Sequence, residues 1–166
     1  MVRKIANYGL GGLVALAVLI QLVPYGRNHT NPPTTKAAAW DSPRTQELAE
    51  RACFDCHSNE TVWPAYASVA PFSWLVQDHV DEGREMLNFS EMDRTFEDLD
   101  EAGEVVREGE MPLPSFLWLH PEAKLTDAER LELATGLEAM FGTEGAGSVT
   151  AEGGNGGGRD NDGDED

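Results

Sequence analysis

The first pattern along the chain is a continuous apolar segment close to its N-terminus. It runs from Ile5 to Val23 with only mild polar interruptions, and Arg3 and Lys4 precede it. At about 1.5 Å per residue, a helix of this length approaches the ~30 Å thickness of a bilayer core. Basic residues before such a segment favour a cytoplasmic N-terminus. The pattern predicts a cytoplasmic segment 1–4 and a transmembrane anchor 5–23, with a cleaved signal peptide as the alternative.

Two amphipathic helices are predicted in the region that follows. Ser42 is typical of an N-cap and Pro43 of a first helical position, so we expect a short helix that runs up to Cys53. A second helix is expected from Pro71 to about Leu87, because apolar residues recur there at helical spacing opposite acidic ones. The residues expected on its apolar side are Leu75, Val76, His79, Val80 and Leu87.

Two more helices are predicted before the chain becomes glycine-rich. One should cover about Thr95 to Arg107 and be ended by Gly109. The other should begin at the capping-box sequence Thr126–Glu129 and run to Phe141. Its expected buried stripe consists of Ala128, Leu131, Ala134, Leu137 and Phe141. The fold class is therefore predicted to be all-α, with the first and last helices of the domain packed together.

Composition divides the rest of the chain. Residues 24–39 contain proline, glycine and threonine and are expected to form a flexible linker. Residues 40–141 carry the helical pattern and form the predicted domain. Residues 142–166 are glycine-rich and acidic, and they are expected to be a disordered tail because they lack the apolar residues that a core requires.

Charge excludes one class of partner. The chain has 30 acidic and 12 basic residues, a formal net charge of -18. Nucleic acid is excluded as a partner, because phosphate binding requires a basic surface. The acidic excess indicates solubility in the first place, and attraction of a basic protein partner in the second.

The segment Cys53–His57 carries the chemistry. It places two cysteines, the only two in the chain, three positions apart and a histidine directly after them. This pattern is the attachment signature of a c-type haem, in which Cys53 and Cys56 form thioethers and His57 binds the iron. A zinc site would need a second pair of ligands, and a redox dithiol would follow a strand. A disulfide or a dithiol remains the alternative, although neither gives His57 a role.

A haem iron bound by His57 has a second axial position. Met111 is the preferred candidate, because Pro112 stiffens the loop that carries it. A thioether in that position favours ferrous iron. His79 and His120 are the competing ligands. Three tryptophans are candidates for packing on the porphyrin or for filling the core: Trp63, Trp74 and Trp118.

A longer composite pattern resembles a known family. Residues 44–140 are similar to the haem-binding domain family of small c-type, monohaem cytochromes. The matching segments are Cys53–Pro64, Ala70–Leu75, Glu82–Arg84, Leu87–Glu91, Gly109–Pro112 and His120–Pro121. Met92 departs from it, since the family usually has tryptophan there. The resemblance implies a cytochrome c-like helical domain around one haem, and it implies little about partners.

These observations together predict a membrane-tethered, extracytoplasmic c-type cytochrome with one covalently attached haem c. We expect it to transfer single electrons between redox partner proteins and not to act as an enzyme, since no nucleophile with an arranged base is present. The expected site residues are Cys53 and Cys56 for the macrocycle and His57 and Met111 for the iron. A five-coordinate haem sensor or peroxidase-like enzyme is the alternative, followed by a haem-free dithiol or disulfide module.

Overall fold

The structure, a computed structural model, describes the backbone of residues 2–142 and the side chains of residues 7–142. In this part of the chain the regular structure is helical, and the one strand-like pairing is an isolated bridge. The predicted all-α class is therefore confirmed, while the tail expected over 142–166 lies outside the described residues except for Gly142. The α-helices are α1 (Val2–Ile20), α2 (Pro43–Ala52), α3 (Phe54–His57), α4 (Phe72–Met86), α5 (Ala102–Glu108), α6 (Pro114–Leu117) and α7 (Asp127–Phe141).

Helix α2 begins as the sequence predicts and ends at the chemical motif. The Ser42 side chain accepts a hydrogen bond from the backbone N–H of Thr45, and Pro43 occupies the first turn. This cap satisfies one of the N–H groups that a helix start leaves unpaired. Cys53 follows α2 directly, and the single turn α3 carries the remaining motif residues.

Helix α7 has the predicted capping box but a different buried face. The Thr126 side chain accepts from the backbone N–H of Glu129, whose carboxylate accepts from the backbone N–H of Thr126. The buried residues are Leu133, Ala134, Gly136 and Leu137. Leu131, expected in the stripe, is 53% exposed. The stripe is rotated because α7 packs against both α2 and α5, and contact with two helices shifts the buried sector.

Helix α4 has nearly the predicted bounds, since Pro71 occupies its N-cap position and Leu87 its C-cap. Its buried residues are Ser73, Val80 and Gly83, whereas Leu75 is exposed. The helix packs against α3 and against a short 3₁₀ turn at Ala65–Ser68. The face that meets these elements therefore uses small residues, and this is why apolar spacing alone predicted Leu75 wrongly.

The helix predicted over Thr95 to Arg107 is shorter in the structure. A 3₁₀ turn at Leu99–Glu101 leads into α5, and Asp98 before it has a left-handed backbone with φ of 53°. A left-handed residue interrupts a right-handed helix, so the regular segment begins only after Asp98. The predicted end is confirmed, because Gly109 has φ of 80° and its N–H bonds to the last turn.

The core lies between α2, α5 and α7, so the first and last helices of the domain do pack together. Leu48, Val106, Leu133 and Leu137 are almost completely buried there. Where α2 crosses α7, a Cβ on Gly136 would meet the side chain of Thr45 at less than 3 Å. The two helices therefore approach closely, and α7 holds α2 and the motif at its end in position.

Residues 24–39, expected as a flexible linker, form a strap that lies against the domain. The backbone N–H of Ala38 donates to the carbonyl of Phe89 at 2.8 Å, and that of Met92 donates to Lys36 at 2.9 Å. The Asn31 side chain donates to the carbonyl of Thr61 at 2.9 Å. Proline-rich composition thus produced an extended, hydrogen-bonded segment and not a free one.

Helix α1 ends at Ile20, before the end of the apolar run. The next side chain, Gln21, accepts a hydrogen bond from the backbone N–H of Ala70 at 3.0 Å and donates to its carbonyl at 2.9 Å. Within the residues that the structure describes, no helix is long and apolar enough to cross a membrane. The transmembrane helix predicted over residues 5–23 is therefore not found.

Candidate functional site

A cavity of about 860 Å³ opens beside the motif and carries three of the four predicted site residues on its wall. Cys53, His57 and Met111 contribute to it, from the α2–α3 junction, from α3 and from the loop after α5. Its volume falls within the ~300–1,000 Å³ of typical ligand and cofactor sites. Much of the wall is apolar: Ala52, Leu87, Phe89, Phe96, Leu99, Val105, Val106 and Leu137. The fold thus brings together residues that are 54 positions apart along the chain.

The imidazole of His57 is held in a single tautomer by the backbone. Its Nδ1 lies 3.1 Å from the carbonyl oxygen of Leu87, and a carbonyl can only accept, so Nδ1 carries the proton and Nε2 has the free lone pair. Burial lowers the pKa of His57, and the nearby carbonyls of Leu87 and Gly83 oppose this only in part. A neutral, oriented imidazole is the form that binds a metal.

The two cysteines are partly buried free thiols in different surroundings. Cys53 contributes to the cavity wall, whereas Cys56 packs against α4, where a Cβ on Gly83 would come within 3.0 Å of it. Burial raises the pKa of Cys53 to about 12 and that of Cys56 to about 11. A redox dithiol requires a thiolate at neutral pH. The arrangement therefore does not support the dithiol alternative.

Met111 is fixed by the end of α5. The left-handed Gly109 turns the chain, and the backbone N–H of Met111 donates to the carbonyl of Val105 at 3.2 Å. Its side chain also packs against the core cluster of α2, α5 and α7. The loop thus presents a thioether to the cavity from a constrained backbone.

Both competing ligands lie away from the cavity, although a second methionine lies on its wall. Neither His79 nor His120 contributes to the cavity wall. His120 has both ring nitrogens engaged, Nε2 with the Tyr66 hydroxyl at 2.8 Å and Nδ1 with Glu122 at 3.1 Å. Met86 does line the cavity, although it is 60% exposed. The cavity wall described here therefore offers two thioethers, of which Met111 is the more enclosed.

The tryptophans expected near a porphyrin are not on the cavity wall. Trp63 stacks on His29 with ring centroids 4.7 Å apart, and Trp118 is 86% exposed. The tryptophan with a ring contact to the motif is Trp40, whose centroid lies 6.1 Å from that of Phe54 and 5.0 Å from that of Phe89. Tryptophan content alone could not show which of the four rings lies beside the motif.

A polar network holds the loop that follows the motif, and sequence reasoning gave it no role. The Arg84 guanidinium donates to the Ser58 carbonyl at 2.8 Å, to Thr61 Oγ1 at 3.0 Å and to Asn31 Oδ1 at 3.1 Å. Asn88 donates to the side chain of Asn59 at 2.9 Å within the same buried region. The sequence signal that could have indicated this network was the Glu82–Arg84 segment of the family resemblance, to which no role was assigned. Helical periodicity does not reveal an arginine whose side chain binds carbonyl oxygens.

The charged part of the cavity wall is mostly acidic. It contains Arg94 together with Glu85, Glu97, Asp98, Glu101 and Glu110. Arg94 pairs with Glu91 at 2.9 Å, and its guanidinium lies 5.2 Å from the centroid of Phe96. Arg94 and its neighbour Thr95 are the wall groups that can donate to an anionic substituent of a bound cofactor.

Comparison with protein families gives one match. The model of the family described as the haem-binding domain covers residues 15–139, well over half of the chain. The matched region includes the strap, α2 to α6 and all four predicted site residues. No curated protein matches the chain, and no solved structure matches it.

Proposed function

The chain belongs to the haem-binding domain family, and on this premise we propose that it is an extracytoplasmic c-type cytochrome that carries single electrons. The observation that supports this function best is the cavity wall, where an oriented neutral imidazole, a thiol and a thioether occur together. These are the donors that c-type haems use. When bound, the haem supplies an iron that gains and loses one electron reversibly.

The proposed roles of the residues follow from their chemistry. Cys53 and Cys56 would hold the macrocycle as thioethers, and His57 would bind the iron through Nε2 while its Nδ1–H stays on the Leu87 carbonyl. Met111 would hold the iron through its thioether. A neutral thioether and an apolar wall both favour the less charged ferrous state, so they raise the reduction potential. Arg94 and Thr95 would donate to the propionates.

Covalent attachment is tested by extraction. Full-length protein produced with haem-maturation machinery should keep its haem through acid-acetone treatment and a denaturing gel. Cys53→Ala should leave at most one thioether and give much less holoprotein. Haem that washes out of the wild type, or two thiols that remain free in the mature protein, would contradict the proposal.

The axial ligand is tested by a pair of methionine variants on the same wall. Met111→Ala should remove the weak charge-transfer band that marks iron–thioether bonding, lower the potential and open the iron to carbon monoxide. Met111→His should keep six-coordination with a lower potential. Met86→Ala is the matched control and should change none of these properties. Loss of the band in Met86→Ala instead would assign the ligand to Met86.

The same experiment separates electron transfer from the alternative function. Wild-type protein that binds carbon monoxide readily would have an open axial position. The five-coordinate sensor or peroxidase-like function would then replace the electron carrier. Redox partner proteins are the proposed electron donor and acceptor, and the acidic surface favours partners with a basic docking patch.

We also propose that the domain lies outside the cytoplasm, attached to a membrane by its N-terminal apolar segment. Arg3 and Lys4 precede this segment, and the α1 side chains Leu10, Leu13 and Leu16 are exposed. Cell fractionation should recover the protein with membranes, with the apolar segment retained in its N-terminal sequence. A soluble protein that begins near Trp40 would show that the segment is a cleaved signal.

A further inference from the structure

Three long segments of this acidic chain contain no Asp, Glu, Lys or Arg. They are residues 5–26, 61–77 and 111–121. The chain as a whole has 30 acidic and 12 basic residues, so about one residue in four is charged. The second and third segments belong to the helical domain, where a solvent-facing surface would normally carry charges.

The fold brings the three uncharged segments into contact. Gln21, at the end of α1, makes two hydrogen bonds to the backbone of Ala70. Tyr66 bonds to His120 at 2.8 Å, and its ring centroid lies 6.3 Å from that of Phe72. A Cβ on Gly26 would collide with the backbone of Ser73, so the chain after α1 also lies directly on α4. Segments that are distant in sequence therefore form one region of the surface.

This region exposes large apolar side chains. We call it the uncharged face, and it consists of Leu22, Val69, Phe72, Leu75, Trp118 and Leu119. Each of these side chains is at least half exposed, and Trp118 is 86% exposed. Exposed apolar residues scattered singly need no explanation, but a group whose members all come from uncharged segments marks a contact surface, and here Arg27 and Glu122 lie at its edge, bonded to Gln21 and His120.

We propose that the uncharged face lies on the surface of a lipid bilayer and fixes the orientation of the domain there. This inference rests on the proposed membrane attachment. The position of the face supports a lipid occupant, because it adjoins the point where the apolar helix α1 meets the domain at Ala70. Tryptophan is the side chain most typical of the bilayer interface, where its ring is partly apolar and its N–H reaches water.

The distribution of charge along α4 supports this orientation. Phe72 and Leu75 are exposed at the start of α4, whereas exposed acids begin at Asp78, near the middle of the helix, and continue with Asp81 and Glu82; we call this part of α4 its acidic half. Anionic headgroups repel acidic side chains, so the acidic half of α4 must point away from the bilayer. That half ends at Met86, on the cavity wall, so the cavity end of α4 is kept away from the lipid.

The test measures the depth of nitroxide labels on the full-length chain in phosphatidylcholine–phosphatidylglycerol vesicles. Labels are attached through Val69→Cys and Leu119→Cys on the uncharged face. Leu131→Cys is the matched control, because Leu131 is a similarly exposed leucine that lies between Arg130 and Glu132. Cys53 and Cys56 are only partly exposed, and wild-type chain treated with the same reagent gives the background of their labelling. Collision with a water-soluble nickel chelate should be several-fold lower at the two face positions than at the control.

The outcomes separate the two proposals. If the chain floats with the vesicles and all three labels meet the nickel chelate equally, membrane attachment stands and the lipid-facing role of the uncharged face is wrong. A protein partner would then be the occupant to seek. If the chain does not float with the vesicles at all, membrane attachment fails and the orientation proposal fails with it. Shielding at Val69 and Leu119 but not at Leu131 supports both.

Discussion

Substituting Gly83 by alanine should loosen the packing that holds the haem motif. Gly83 lies in α4 at the point where the helix touches the backbone of Cys56. A Cβ built on it would meet the Cys56 carbonyl oxygen at 2.6 Å and the carbonyl carbon at 3.0 Å. Both atoms are backbone, so no side-chain rotation can relieve the contact. Helix α4 and α3 must therefore move apart.

Two opposing effects set the magnitude. Alanine is intrinsically better than glycine inside a helix by about 1 kcal/mol, so an unhindered substitution would stabilise the protein. Overpacking a tight contact costs about 1–3 kcal/mol, and the upper value of about 3 kcal/mol applies here because the atoms that the new methyl group meets belong to the backbone. The expected net loss in the free energy of unfolding is therefore about 2 kcal/mol, enough to lower the melting temperature of a domain of this size by ~8–16 °C.

The assay is urea unfolding of the apoprotein and the holoprotein, with haem content measured per chain. Gly12→Ala is the matched control, since Gly12 is also helical but has no atom within 4 Å of its Cβ position. The control should leave the unfolding of the domain unchanged. Gly83→Ala should lower the midpoint and reduce haem loading. A Gly83→Ala protein as stable as wild type, with full haem loading, would refute the packing argument.

Three further perturbations test other parts of the structure. Leu133→Ala, at a completely buried position, should lower the free energy of unfolding in urea by about 2–5 kcal/mol, while Leu131→Ala should cost well under about 1; equal effects would contradict the assigned face of α7. The Thr126 N–H, and then Arg51, lower the pKa of Glu129 to about 2 from 4.5. The stability this carboxylate contributes is present above pH 4.5 and lost as the pH falls toward 2. The melting-temperature difference between wild type and Glu129→Gln should therefore shrink over that range, and a constant difference would disprove the linkage. Arg84→Lys keeps the positive charge but loses the planar guanidinium that donates several hydrogen bonds at once. The free energy of unfolding in urea should therefore fall by about 1–3 kcal/mol. An unchanged unfolding midpoint would show that the polar network is dispensable.

Local features of the sequence predicted the parts of the fold that short-range forces decide. Ser42 with Pro43, the capping box at Thr126 and the turn at Gly109 all appear where expected, because each is set by hydrogen bonds within a few residues. The haem-binding assignment was also local, since it rested on Cys53–His57, and the family match confirms it at the level of haem binding. Helical periodicity likewise established the all-α class.

The arrangement of the site depended on long-range contacts that periodicity does not contain. The sequence proposed Met111 and His57 as the two ligands of one iron, but only the fold places both on the wall of one cavity. It also places His120 away from that cavity, where it bonds to Tyr66. The prediction that Leu131 lies on the buried face of α7 was wrong, because the helices that flank α7 decide which of its faces is buried.

The strap shows the same limit most clearly. Residues 24–39 have the composition of a linker, and their backbone groups find partners only because Phe89 and Thr61 lie beside them in the folded domain. The sequence by itself determined the helix starts and ends, the helical class and the haem motif, since these depend on local hydrogen bonds and local chemistry. The tertiary structure alone decided which side chains share the cavity, which helix faces are buried and where the uncharged segments meet, because those outcomes depend on packing between residues far apart in the chain.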